Sequence, residues 1–237
     1  MPPVAQAVVA TEDIVLSRGP VRVLDGVSLT VGPGETVALQ GPSGGGKSSL
    51  LQLMCGLLTP DSGTIEFAGQ PFSTLSERSR SRVRLNSIGC VFQGDEFVPE
   101  LTLSENISLP LRLLGRERRS DVALSVVDDA MGRLGIADFG DRLPWQVSGG
   151  QLQRAAVARA VVHHPRLILA DEPTASLDAD SSAAAMTLLL DVASDIDAAV
   201  LVVTHSTEVA GLCSRQAQLR AGRLEPASSA SSRAPRV

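Results

Sequence analysis

The stretch Gly41-Pro-Ser43-Gly44-Gly45-Gly46-Lys47-Ser48 fits G-x-x-x-x-G-K-[ST], a loop that cradles phosphate. Its glycines let the backbone turn so that successive N–H groups face one anion. Lys47 adds a point charge near the β- and γ-phosphates, and the Ser48 hydroxyl is placed to ligate Mg²⁺. The flanks agree. Thr36-Val-Ala-Leu39 reads as a buried strand. Ser49 to Leu57 reads as a helix whose positive N-terminus points at the phosphates.

Composition bounds what can surround this loop. The chain has 237 residues, of which 43% are hydrophobic, enough for one sizeable domain with a real core. A net charge of −5 argues against a general nucleic-acid partner. No apolar run approaches the roughly 18 residues needed to cross a bilayer. Met1-Pro-Pro-Val-Ala-Gln6 lacks the basic and then apolar pattern of a secretory signal. Cys55, Cys90 and Cys213 are scattered among apolar neighbours and read as small core residues in a reducing compartment, not as a disulfide set or a zinc site. The expectation is a cytosolic protein that meets a membrane only through a partner.

Along the chain, Ile14 to Val31 alternates loosely and carries turn signals at Gly19-Pro20 and Asp25-Gly26, so two or three β-strands are expected. Thr64 to Gly69 reads as a strand and turn, and Ile88 to Phe92 as a short strand. From about residue 94 to 155 the pattern becomes helical. Ser120 can cap a helix with apolar Ala123, Val127, Ala130, Met131 and Leu134, stopped by Gly135, and a second helix starts at Ser148. Leu167 to Ala170 and Val200 to Val203 are continuous apolar runs, as central parallel strands require. Asp180 to Asp191 supplies the crossover helix. The expected division is one domain over 1–225, with a helical subdomain inserted at about 94–155, and a disordered tail over 226–237.

A phosphate loop needs a carboxylate to help hold Mg²⁺, and Asp171 at the end of a buried strand supplies it. Glu172 is then placed to polarise an attacking water. Ser148-Gly149-Gly150-Gln151 opens a helix whose bare N–H groups, hydroxyl and dipole make a second anion site. One nucleotide can hardly use both helix N-termini of a compact monomer. A symmetric pair of chains solves this, with each phosphate loop facing the partner's Ser-Gly-Gly-Gln helix.

With these motifs in hand, the chain resembles the ATP-binding subunit of an ABC transporter over roughly residues 12–225. Val147 to Gln151 is similar to the family signature, Asp171-Glu172-Pro-Thr174 to Walker B, Phe92-Gln93 to the Q-loop, Ala175 to Asp178 to the D-loop, and Val203-Thr-His205 to the switch histidine. The resemblance implies an α/β P-loop NTPase with a mainly parallel central sheet, an N-terminal antiparallel β subdomain and an inserted α-helical subdomain. It implies ATP and Mg²⁺ as cofactors. Gly41, Ser43, Gly44, Gly45, Gly46, Lys47, Ser48 and Ser49 hold the phosphates. Ser48, Gln93 and Asp171 surround the metal, Glu172 is the general base, and His205 touches the γ-phosphate. Ser148, Gly149, Gly150 and Gln151 reach the nucleotide on the other subunit, and Asp178 couples the two sites. The implied protein is an ATPase that dimerises on ATP and drives a separate membrane permease from the cytoplasmic face. Val98 to Leu111 and Ala170 to Thr174 are similar to the lipoprotein-releasing, macrolide-export and cell-division branch.

Three departures from that pattern stand out. Arg18 stands where the family places an aromatic ring under adenine; a guanidinium plane can stack on a base. Val147 replaces the usual leucine, and Ala175-Ser176 replaces the Gly-Asn common in the narrower branch. Two other functions share these motifs: an ATPase regulating a non-transporting membrane complex, and a soluble ABC ATPase of DNA repair or translation. The acidic charge and the lack of a coiled-coil insertion or second cassette weigh against the latter. Outside the motifs, Arg78, Arg80, Arg82 and Arg84 read as a solvated helix face, His163-His164 as a helix end, and Trp145 as a packing residue. Phe97 and Leu101 are candidates to line a docking groove.

Overall fold

The computed structural model describes residues 7–92, 97–115, 120–175 and 179–225. The expected tail, Gln93 and Asp178 all lie outside the described residues. Four strands form an antiparallel sheet: β1 (Val9–Arg18), β2 (Val21–Val31), β4 (Ser62–Phe67) and β5 (Gln70–Pro71), in the order β2-β1-β4-β5. β1 begins five residues before the expected start at Ile14. It continues through a bulge near Asp13, which takes φ +48°.

A second, six-stranded sheet carries the chemistry. It contains β3 (Thr36–Gln40), β6 (Ile88–Val91), β7 (Leu167–Asp171), β8 (Ala199–Val203), β9 (Arg215–Arg220) and β10 (Arg223–Leu224), in the order β10-β9-β3-β8-β7-β6. The pairings from β9 to β6 are parallel, and β10 turns back antiparallel. This is the expected fold class.

Strand alternation divides the core into two clusters. Val37, Leu39, Leu167, Leu169, Leu201 and Val203 face one cluster, together with Leu50, Leu51, Leu53 and Met54 of α1 (Lys47–Met54) and the antiparallel sheet. Ala38, Ile168, Ala170, Val200 and Val202 face the other. There they meet α3 (Leu103–Leu113), α4 (Ser120–Arg133), α5 (Gly149–Val161), α6 (Ala179–Asp195) and α7 (Thr207–Gly211). Both faces of β3, β7 and β8 are therefore covered, which is why these strands read as unbroken apolar runs.

Helix ends follow local chemistry. Thr102 and Glu105 form a reciprocal capping box on α3, and Ser148 and Gln151 form one on α5. Gly135, at φ +64°, follows α4 as expected; the side chains of Ser120 and Ala123 lie outside the description. α5 ends at Val161, so the two histidines do follow a helix end. His163 is buried with Nε2 3.3 Å from the Ile88 carbonyl.

Three expectations are corrected. Trp145 is 64% exposed, on a 3₁₀ turn (Pro144–Gln146) none of whose residues is buried. Phe97 is buried in the helical cluster beneath the Arg159 guanidinium, 4.6 Å from its ring centroid, so it cannot line an open groove. The basic face of α2 (Glu77–Ser87) is solvated only at Arg78 and Arg82. The Arg80 and Arg84 side chains are only 13% and 22% exposed. Arg84 donates to the carbonyls of Cys55 and Gly56, just past the end of α1, and Arg80 to those of Ser73 and Leu75. Unsatisfied carbonyls at a helix C-terminus attract cations, and that draws the guanidinium inward.

Candidate active site

The phosphate loop runs from the end of β3 into α1. Gly41 takes φ +146°, and a Cβ there would lie 2.0 Å from the Leu219 carbonyl oxygen of β9. Gly46, at φ +97°, is the N-cap of α1; a Cβ there would meet Leu24 at 2.7 Å and the Val23 carbonyl at 2.8 Å. Both positions demand glycine for conformation and for space. No side chain caps α1, and its first turn holds no acidic residue. Its leading N–H groups therefore make a positive end open to an anion. Lys47 is 6% exposed, and its Nζ donates to the Gly41 and Pro42 carbonyls, each at 2.9 Å. A third ammonium N–H remains for a ligand. Ser48 and Ser43 are exposed, and Ser49 is half-buried.

Strand β7 delivers Asp171, half-buried and opposite Val203 of β8. Glu172 follows in a left-handed conformation, φ +50°. Such backbone strain in a residue with a side chain is characteristic of functional sites. The turn is held because Glu172 N–H donates to the Val203 carbonyl at 3.0 Å. Its carboxylate meets His205 beyond the neighbouring strand end: Oε2 accepts from His205 N–H at 3.4 Å, and Oε1 lies 3.2 Å from His205 Nε2. The second contact is within ion-pair range but is not aligned as a hydrogen bond, which leaves Oε1 buried and available to a further donor. The His205 side chain is half exposed, while Thr204 beside it is buried. Parallel strands thus bring Gly41–Ser49, Asp171, Glu172 and His205 to one edge of the sheet, their shared C-terminal end, where α/β sheets bind ligands.

A cavity of about 430 Å³ opens beside that edge, lined by Gln40, Gly41, Pro42, Thr204, His205, Gln218 and Arg220. Gln218 and Arg220 were missed by sequence reasoning because β9 was not anticipated. Asn106 was also missed. It is fully buried; its Oδ1 accepts from Val98 N–H, and its Nδ2 reaches the Val98, Leu101 and Thr102 carbonyls, fixing the loop that leads into α3.

Ser148 is the exposed N-cap of α5. Its Oγ accepts from Gln151 N–H at 3.3 Å, and Gln151 Oε1 accepts from Ser148 N–H at 2.8 Å. The hydroxyl proton of Ser148 is still free to donate outward. A Cβ at Gly149 or Gly150 would meet nothing within 4 Å, so nothing in this chain requires glycine there. α5 packs on the opposite face of the central sheet from α1, so the fold does not bring its N-terminus to the phosphate loop. Arg18, at the end of β1, donates from Nη2 to Gln52 Oε1 of α1 at 3.3 Å.

The ABC transporter family profile matches residues 24–175, and the chain belongs to that family of ATP-binding cassettes. It is an ATPase subunit of the branch that holds LolD and MJ0796. The lipoprotein-releasing system ATP-binding protein LolD 2 of Caulobacter vibrioides is 42% identical over 207 residues, covering 87% of this chain and 90% of that one. The dimeric structure of MJ0796, a bacterial ABC transporter cassette, superposes with a TM-score of 0.82 at 31% identity, covering 92% of this chain and 97% of that one. A dimeric post-hydrolysis state of MJ0796 with ADP and Pi superposes with a TM-score of 0.80 at 33% identity, with the same coverage.

Proposed function

We propose that two copies of this chain close around ATP and that the cycle of closure and hydrolysis drives a separate membrane permease, in export or mechanical transmission. The observation that carries the reading is the separation of two anion-binding helix ends. The bare N-terminus of α1 and the exposed N-terminus of α5 belong to opposite faces of one sheet. A two-fold pairing brings each to the partner's opposite number, and the MJ0796 dimer supports such a pairing.

In this reading Lys47 and the Gly44, Gly45 and Gly46 amides hold the β- and γ-phosphates, and Gly41 lets the loop turn beneath them. Ser43 and Ser49 contact the phosphates from either end of the loop. Ser48 and Asp171, with Gln93, hold Mg²⁺, which neutralises charge on the phosphates. One hydroxyl, one carboxylate and one amide suit this ion, because Mg²⁺ keeps waters and phosphate oxygens as its remaining ligands. Glu172 takes the proton of the attacking water, and His205 fixes Glu172 and contacts the γ-phosphate. Ser148, Gly149, Gly150 and Gln151 close over the partner's nucleotide, with Asp178 at the join. Arg18, steadied by Gln52, stacks on the base.

No helix among the described residues is long and apolar enough to cross a membrane. The membrane role is therefore assigned to a partner, with this chain at its cytoplasmic face, a reading supported by the likeness to a lipoprotein-releasing system protein.

The test is Glu172→Gln. The variant is expected to bind ATP, lose turnover by roughly a hundredfold or more and accumulate as a nucleotide-bound dimer in size-exclusion chromatography. Turnover near the parental rate would remove Glu172 from the role of base, and a monomer at saturating ATP would remove the composite site.

A further inference from the structure

The hairpin of β9 and β10 lies under the phosphate loop, and one carboxylate ties it there. Two backbone carbonyls from different sheets crowd the glycines of the loop. The Leu219 carbonyl oxygen of β9 stands 2.0 Å from where a Cβ would sit at Gly41 and 3.3 Å from one at Gly45. The Val23 carbonyl oxygen of β2 stands 2.8 Å from one at Gly46. The loop is therefore seated between the catalytic sheet and the antiparallel sheet, and the spacing of those two strands sets its shape. β9 and β10 join through Ala221 and Gly222, at φ +47° and +76°, the two left-handed residues of a tight hairpin turn. Gly222 is buried against β2: a Cβ there would lie 2.7 Å from the same Val23 carbonyl oxygen, and its own carbonyl accepts from Asp25 N–H at 2.8 Å. The half-buried Asp25 carboxylate then takes the two arginines that flank this contact. Arg223 of β10 donates from Nε and Nη2 to Oδ2 at 2.9 and 2.6 Å, and Arg22 of β2 donates from Nη1 to Oδ1 at 2.9 Å. An isolated exposed ion pair adds little, but a carboxylate shared by two guanidiniums beside a backbone bond is a network of fixed geometry. β10 is an edge strand of two residues, and these bonds fasten it to the antiparallel sheet.

We propose that Asp25 is a positioning residue for nucleotide binding: by clasping Arg223 it locks the β9–β10 hairpin against β2 and so holds the phosphate loop in the conformation that receives the phosphates. Asp25 acts at one remove from the loop, through Gly222 and Val23 on one side and through β9 to Leu219 on the other. Releasing the clasp lets β9 and β2 shift beneath Gly41, Gly45 and Gly46, which blurs the array of N–H groups. Those groups grip phosphate before and during hydrolysis alike, so the cost falls on affinity more than on turnover. The inference uses the phosphate loop of a single chain and stands whether or not two copies pair.

The experiment measures binding of ADP with Mg²⁺ to the full chain by titration calorimetry, well below each variant's melting temperature. ATP turnover and hydrogen exchange of the 41–49 peptide are followed in parallel. Asp25→Ala and Arg223→Ala are each expected to weaken ADP binding about three- to tenfold and to raise KM for ATP by a similar factor, with kcat within about twofold of the parent. Exchange quickens in the 41–49 peptide and not in α5. The double variant loses no more than Asp25→Ala alone, because both substitutions open one clasp. Arg223→Lys keeps a charge that reaches the carboxylate and recovers part of the loss. Asp195→Ala opens the exposed ion pair with Arg133 between α4 and α6 and leaves ADP affinity unchanged. The proposal is overturned if Arg223→Ala binds ADP as tightly as the parent, if the losses of the two single variants add, if Asp195→Ala weakens ADP binding equally, or if kcat falls while ADP affinity stays. The Arg223 side chain is exposed, so its variant decides the question even where Asp25→Ala folds badly.

Discussion

Gly41 and Glu172 are strained in different ways, and each strain has a neighbour that holds it. At Gly41 the neighbour is the Leu219 carbonyl, 2.0 Å from where a Cβ would stand. Gly41→Ala adds a left-handed conformation to a backbone collision, each of about 1–3 kcal/mol. The expected outcome is a loss of several kcal/mol in urea denaturation together with loss of ATP binding. At Glu172 the neighbours are the Val203 carbonyl and His205. The motif spelling made both glutamate and histidine legible as site candidates, but their contact was not legible. It depends on β7 and β8 lying side by side and ending level, which only strand pairing decides.

Helix caps were the most readable elements, because a cap is chemistry between residues three apart. Ser148 and Gln151 close α5 as their spelling suggests, and the same grammar at Thr102 and Glu105 was available for α3. Strands β9 and β10 were not legible. Arg215–Arg220 alternates weakly, with only Leu219 fully buried, so the strand is held by pairing to β3 more than by an apolar face. The glycines of α5 give a prediction at this scale. Gly150→Ala has open space around its Cβ and gains helix propensity of up to about 1 kcal/mol. The monomer is expected to be at least as stable in thermal denaturation, while ATP-driven dimerisation and turnover fall. Undiminished turnover would mean that no partner approaches that backbone.

The molecule as a whole places the N-termini of α1 and α5 on opposite faces of one sheet, and the proposed composite site follows from that only if two copies pair. Mixing variants tests this directly. Lys47→Ala and Ser148→Arg should each be inactive alone, the first in its own loop and the second toward its partner. Mixed in equal amounts, half the dimers are heterodimers, each with one intact composite site of its two. About a quarter of the parental turnover should return if the sites act independently. No recovery, with heterodimers verified by mass spectrometry, would exclude the shared site.

By itself the sequence determined the phosphate loop, the buried strands, the caps and the family, because each is written in residues close together along the chain or in unbroken apolar runs. The tertiary structure alone decided what distant segments do to one another. It turned Arg80 and Arg84 inward, left Trp145 outside, and buried Phe97 under Arg159. Contacts of that kind depend on which faces of the sheet and helices meet. That is fixed by packing the whole core at once, and no local pattern encodes it.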